Sequence, residues 1–223
     1  MTNTSRTLLF AALTSTLSST AVNAQNSSDT GANRLEEVMV TAQRRAQNLQ
    51  EVPVAVTSFT NKQLEAAQIR EAGDLVRFVP SLTGGINVGT GGAISFFMRG
   101  LGSTEQVATF DVPVALYVDE IYIARQSVNN VSMFDVERVE VLRGPQGTLF
   151  GRNSTGGAVS VTMAKPGDTP GGFVEAGVGS YGRQTIRGSV DVPVSDEVLT
   201  KFSGFYLEDD GYARSTTLDE RVN

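Results

Sequence analysis

Asp135, Glu137 and Glu140 place three carboxylates close together in one largely apolar run, where paired acids could in principle divide the acid and base roles of a hydrolysis. On an extended chain Glu137 and Glu140 differ in parity and point to opposite faces, so they do not converge on one bond. No other side chain supplies the missing chemistry. The 223 residues contain no histidine and no cysteine, which removes the imidazole base, the Ser-His-Asp triad, the thiol nucleophile, the strongest transition-metal ligands and any disulfide framework. The glycines between Gly144 and Gly157 form neither GxxxxGK[ST] nor a strand-GxGxxG-helix pattern, so they are not read as a nucleotide cradle. Of 18 basic residues only Lys62, Lys165 and Lys201 are lysines, and a net charge of -6 argues against a nucleic-acid surface. Arginines are therefore the chemically informative residues. Val139, Val141 and Arg143 share one strand face, and Arg143 stands where that strand reaches the Gly144-Pro145 turn, a position that faces a partner. The expectation is binding without catalysis: no catalytic residue, no cofactor and no resident metal.

The elements that must position these residues follow from the pattern along the chain. Residues 1–24 read as a secretory signal peptide, with Arg6 as the positive n-region, Leu8 to Leu17 as a short apolar h-region and Val22-Asn23-Ala24 as the cleavage site. Residues 25–51 are a polar segment suited to an aqueous compartment, interrupted by an apolar island, Glu37, Val38, Met39, Val40, Thr41 and Ala42. By composition the island is either a strand that pairs edge to edge with a partner or the first strand of the next domain. Residues 52–166 form a mixed α+β domain. Val54 to Phe59 suits a strand, Thr60 or Asn61 caps a helix through Leu64, Ala67 and Ile69 to a stop at Gly73, and Asp74 caps a second short helix whose Leu75, Phe78 and Val79 share a face. A loop is expected from Gly84 to Gly92, and strands at Ile94 to Arg99, Val112 to Asp119 and Val136 to Arg143.

Beyond Pro166 the texture changes to alternating stretches of about ten residues, Phe173 to Tyr181, Gln184 to Val192 and Leu199 to Leu207, joined by short polar connections. Arg187 and Asp191 share one face of the middle stretch, while Ile186, Val190 and Val192 share the other. A barrel wall with a polar lumen gives this alternation, and so does an ordinary antiparallel sheet with one wet face. The residues of this region, 167–223, suffice for about four membrane strands, where the smallest closed barrel needs about eight. The chain is therefore read as the N-terminal part of a longer protein or a truncated gene product.

The run VERVEVLRGPQGTLFGRNSTGGAVSVTMAKP, from Val136 to Pro166, resembles the end of the plug domain of TonB-dependent outer-membrane receptors. Other segments resemble that family in order: EEVMVTAQRR the TonB box, EVPVAVTSFT the plug entry, FFMRGLG the Arg-Gly segment and VPVALYVDEIYI the central strand pair. The resemblance implies an α+β plug, a small mixed sheet with short helices, followed by the first antiparallel strands of an incomplete transmembrane β-barrel. It implies that Glu37 to Ala42 bind TonB, and that Arg99 and Arg143 lock the plug to carboxylates of the barrel. It also implies that the loops at 85–93, 101–109 and 123–130 meet the ligand, with Val88, Thr90, Gln106, Arg125 and Gln126 as contact candidates. Many relatives carry Asp-Gly where this chain has Asp119-Glu120, so that turn is not expected to be a simple type I′ hairpin.

The function so implied is active import across the outer membrane of a scarce nutrient, a ferric siderophore first, with TonB pulling the box from the periplasm. Without histidine, a haem-ligating plug is disfavoured. Two further classes compete: a stand-alone periplasmic plug-like module for binding or regulation, and the carboxylate enzyme that strand parity already weakens.

Overall fold

The computed structural model describes residues 39–41, 45, 47–86, 93–104, 111–211, 213–214 and 221–222. The expected signal segment, Glu37, Val38 and Ala42 of the box, and Val88, Thr90 and Gln106 of the loops lie outside the described residues.

Two-residue strands β1 (Met39–Val40) and β2 (Gln47–Asn48) pair antiparallel. Strand β3 (Ala55–Thr60) leads into helix α1 (Asn61–Ala66), where the Thr60 N–H donates to Gln63 Oε1 at 2.9 Å. The helix stops well before the expected Gly73. Gln68 takes a left-handed backbone (φ 53°), and the Ile69 N–H returns to the Leu64 carbonyl at 2.9 Å. This is a Schellman-type ending made without glycine.

The second short helix is a 3₁₀ segment, Ala72–Arg77, capped at Glu71 rather than Asp74. Asp74 instead reaches back, accepting from the Arg70 and Glu71 N–H groups at 3.0 and 3.2 Å. Leu75 and Val79 are buried and Phe78 is half-exposed, its ring meeting Phe59 edge-on.

Strands β4 (Leu82–Ile86), β5 (Ile94–Met98) and β6 (Leu101–Gly102) form a small antiparallel sheet. Part of the expected Gly84–Gly92 loop is thus strand. A Cβ on Gly84 would lie 2.8 Å from Ile94 Cδ1 and 2.9 Å from Val76 Cγ1, so any side chain there would have to displace both methyl groups.

The main sheet adds β7 (Val114–Val118), β8 (Ile121–Ile123), β9 (Val136–Arg143) and β10 (Gly157–Met163), in the order β3-β9-β10-β7-β8. Only β7 and β10 pair parallel, so the sheet is mixed. Helix α2 (Gly147–Phe150) lies between β9 and β10. The alternation of β9 sends Val139 and Val141 to one face and Leu142 to the other, where each joins its own core cluster.

The β7–β8 turn corrects the expectation for Asp119-Glu120. Both residues have positive φ, 46° and 68°, and Val118 pairs directly with Ile121, which is type I′ geometry. Two non-glycine residues tolerate it because Asp119 is held from both sides. Its N–H donates to the Val161 carbonyl at 3.0 Å, and its Oδ1 accepts from the Met163 N–H at 2.9 Å.

Strands β11 (Gly171–Val178), β12 (Gln184–Pro193) and β13 (Leu199–Glu208) then form an open antiparallel sheet. Its alternation is the expected one. Val174, Ile186, Val190, Phe202 and Tyr206 stand exposed on one face, while Arg187 pairs with Glu175 at 2.6 Å on the other. That second face also meets the plug through Phe134, Asp135 and Lys201. Strands β14 (Ala213–Arg214) and β15 (Arg221–Val222) pair antiparallel. Among the described residues no helix is long and apolar enough to cross a membrane.

Candidate functional site

Two places in the fold gather residues that the sequence singled out. The first is the end of the apolar island. Met39 is half-exposed, whereas Val40 is fully buried among Val52, Ala115, Tyr117, Leu142, Phe150 and Ala158. Burying a valine side chain of this kind is worth about 1.5–3 kcal/mol. The β1–β2 hairpin therefore acts as a lid strand, closing the second face of the main sheet.

Thr41 fastens the same segment by polar contacts. Its N–H donates to Glu140 Oε1 at 2.6 Å, and its hydroxyl lies 3.2 and 3.3 Å from the two Glu140 oxygens. Glu140 is 1% exposed, and Arg138 Nε donates to its Oε1 at 3.1 Å, giving the buried carboxylate a charged partner. Arg138 also pairs with Glu137 and donates from Nη2 to the Thr41 hydroxyl at 3.4 Å.

Strand parity places Glu137 and Glu140 on opposite faces, yet Arg138 reaches both. The register shift at Thr162–Met163, where Arg138 and Val136 are successive partners of β10, leaves Glu137 as an extra residue and breaks the alternation. Sequence reasoning missed Glu140 as a fastening point. The available signal was an ionisable residue between Val139 and Val141 in an otherwise apolar strand.

The second place is the arginine pair. Arg99 follows β5 in a left-handed conformation (φ 52°), its N–H donating to the Ser81 carbonyl at 2.9 Å. Its Nη1 lies 3.3 Å from where a Cβ on Gly144 would sit, so the guanidinium covers the turn immediately after Arg143. Gly144 itself has φ 101°, a backbone conformation strained for any other residue, and a Cβ there would press on that cation. Neither arginine forms an ion pair among the described residues, and the buried Arg143 Nε finds no hydrogen-bond partner. Two neighbouring cations, one with a desolvated donor unmet, call for carboxylates.

Of the loop candidates, Arg125 is exposed. Gln126 is 7% exposed, and its Nε2 donates to the Ser103 carbonyl at 3.0 Å, bracing one loop against another. Among the described residues no group of three or more acidic side chains could hold a metal ion.

A strand closing a mixed sheet, with Arg143 ending β9 at a Gly-Pro turn and Arg99 reaching over that turn from the end of β5, is the arrangement that the comparisons explain. Residues 48–158 match the family model of the TonB-dependent receptor plug domain. The chain belongs to the TonB-dependent receptors. The pesticin receptor of Yersinia pestis is 31% identical over 150 residues, 66% of this chain and 21% of the receptor. The vitamin B12 transporter BtuB of Vibrio vulnificus is 28% identical over 181 residues, 79% of this chain and 28% of the transporter. The ferric yersiniabactin uptake receptor of Yersinia pestis superposes with a TM-score of 0.67 at 27% identity, over 75% of this chain and 26% of that one. The alcaligin outer-membrane receptor of Bordetella pertussis, with a TM-score of 0.63 at 20% identity over 78% of this chain and 30% of that one, shares the fold. This chain thus spans about a fifth to three tenths of these receptors' lengths. In family terms the mixed sheet is a plug, and β11–β13 are the first antiparallel strands of an incomplete transmembrane barrel.

Proposed function

We propose that this chain serves TonB-dependent active import across the outer membrane, with the plug gating a barrel and a ferric siderophore as cargo. The observation that carries the reading is the docked box: Val40 buried in the plug and Thr41 held by Glu140. A strand held this way is withheld from a partner until it is released. TonB then takes Glu37 to Ala42 by strand addition, main-chain hydrogen bonds supplying affinity, and tension on the box uncovers the second face of the sheet. The similarity to the ferric yersiniabactin uptake receptor supports a siderophore as cargo.

In this reading the protein catalyses no reaction, and the N-terminal segment faces the periplasm. The organisation is signal peptide 1–24, box segment 25–51, plug 52–166 and barrel strands from 167. Arg99 and Arg143 hold the plug against barrel glutamates or aspartates. Val88, Thr90, Gln106 and Arg125 approach the ligand, with Gln126 bracing their loops.

The test is calorimetric titration of a TonB C-terminal domain with a peptide covering residues 35–45. The native peptide binds, and Val40→Pro abolishes binding because proline removes a donor and fixes φ. Unchanged affinity of the proline peptide would defeat strand addition. In a receptor containing the whole barrel, Arg99→Gln with Arg143→Gln leaves the facing carboxylates without cations, at about 3–5 kcal/mol for a buried pair. Energised ferric-siderophore uptake falls while surface binding persists, and normal uptake would contradict the lock.

A further inference from the structure

A second junction joins the plug to the wall, independent of the arginine pair. Phe134 and Asp135 immediately precede β9, and Asp135 holds a left-handed backbone with φ 56°. Its carbonyl accepts from the Ala164 N–H at 2.9 Å, tying this corner to the end of the plug. Its carboxylate reaches the wall: Oδ1 lies 2.7 Å from Lys201 Nζ on β13, with the two side chains 10% and 13% exposed, and Oδ2 accepts from the Ser203 hydroxyl. Phe134 sits edge-on to Phe173 of β11 at 6.2 Å and to Phe205 of β13 at 5.9 Å between ring centroids.

The direction of Lys201 is the informative detail. Its cross-strand partner within the wall is Asp191 of β12, a carboxylate of opposite charge directly opposite in register. Such pairs ordinarily close across a sheet. Lys201 instead crosses to the plug's Asp135, and Asp191 Oδ1 is left buried without a hydrogen-bond partner among the described residues. The other ion pair on this face, Glu175 with Arg187, joins wall strand to wall strand and does not reach the plug.

We propose that Phe134 and Asp135 form a seat that sets the plug's position against the first wall strands, with Lys201 as its counter-ion and Asp191 as the alternative partner that Lys201 takes when the seat is empty. Asp135 and Lys201 are positioning residues: they touch no cargo and act by fixing where the plug meets the wall. The aromatic contact supplies area and the ion pair supplies direction, because a nearly dry carboxylate tolerates few alternatives to its cation.

Hydroxyl-radical footprinting of the full chain in detergent micelles tests this by the oxidation rate of the Phe134 ring. Asp135→Asn preserves shape and tolerates the left-handed backbone. It is expected to expose Phe134 and raise its oxidation about fivefold, while the amides of β12 and β13 stay protected because Lys201 turns to Asp191. Lys201→Met should raise the rate similarly, and the double variant no further than the larger single effect, since one interaction is lost in all three. Glu175→Gln should leave the rate unchanged. Should Asp135→Asn not fold, Lys201→Met reads the same coupling from the wall side. Rates within twofold of the parent in both single variants, or a double variant equal to the product of the two, would overturn the seat. Box peptide binding to TonB does not depend on this junction, so failure here leaves the import reading standing and failure there leaves the seat.

Discussion

The two faces of the plug sheet are closed in different ways. The first is covered by α1, the 3₁₀ segment and the small β4–β6 sheet, and its core is apolar and largely aliphatic, from Leu64, Leu75 and Met98 to Leu116 and Val161. The second is covered partly by the β1–β2 hairpin, which contributes one fully buried side chain, Val40, and a fastening of hydrogen bonds from Thr41 to Glu140. An apolar seal made by many side chains opens only with the fold. A seal made by one valine and one carboxylate can open while the remainder of the sheet stays paired. The difference teaches where a plug can yield without unfolding.

Breaking the first face should produce the larger effect. Leu116→Ala on β7 removes a side chain that is 1% exposed and is expected to cost about 2–5 kcal/mol of global stability, read from a urea midpoint shift at constant slope. Val40→Ala on the second face deletes two methyl groups, about 1–2 kcal/mol, and that loss should appear as local opening of the hairpin. Amide exchange accelerating at residues 39–48 with the global midpoint nearly unmoved would sharpen the contrast. Equal midpoint shifts in the two variants would erase it.

Next in size is the fastening carboxylate. Glu140→Gln keeps an acceptor for Thr41 but removes the charge that Arg138 and the Thr41 N–H share. The box should then spend more time free, raising the apparent affinity of the chain for TonB about fivefold, because apparent affinity scales with the competent fraction. Weaker TonB binding would show that Glu140 supports the bound state and does not hold the box back. The smallest effect belongs to the wall. Glu175→Gln breaks a pair whose glutamate is half-exposed, and no more than about 1 kcal/mol should be lost.

Much of this was legible along the chain where the signal was local and periodic. Alternation along the chain marks β9 and β11–β13 and separates Arg187 from Ile186 and Val190. The box segment was marked by its own β-branched residues. What escaped depends on partners far away. The Asp119-Glu120 turn closes as type I′ in left-handed conformations that single residues disfavour and that Asp119's bonds to Val161 and Met163 hold, whereas α1 stops short through a local left-handed Gln68 that carries no glycine to mark it. Thr41 and Glu140 are 99 residues apart, and Asp135 meets Ser203 across 68, so no window of sequence contains either pair. The parity argument failed at Glu137 because a bulge inserts one residue, a local event with no compositional mark.

The central claim is that the box is docked beneath the plug sheet and leaves it for TonB. Since the chain contains no cysteine, a single introduced thiol reports cleanly. Met39→Cys and Val40→Cys place that thiol at neighbouring positions, one 46% exposed and one fully buried. The account predicts maleimide labelling at position 40 slower than at position 39 by about a hundredfold, the gap closing when the TonB C-terminal domain is added. Equal labelling rates before TonB is added would contradict it.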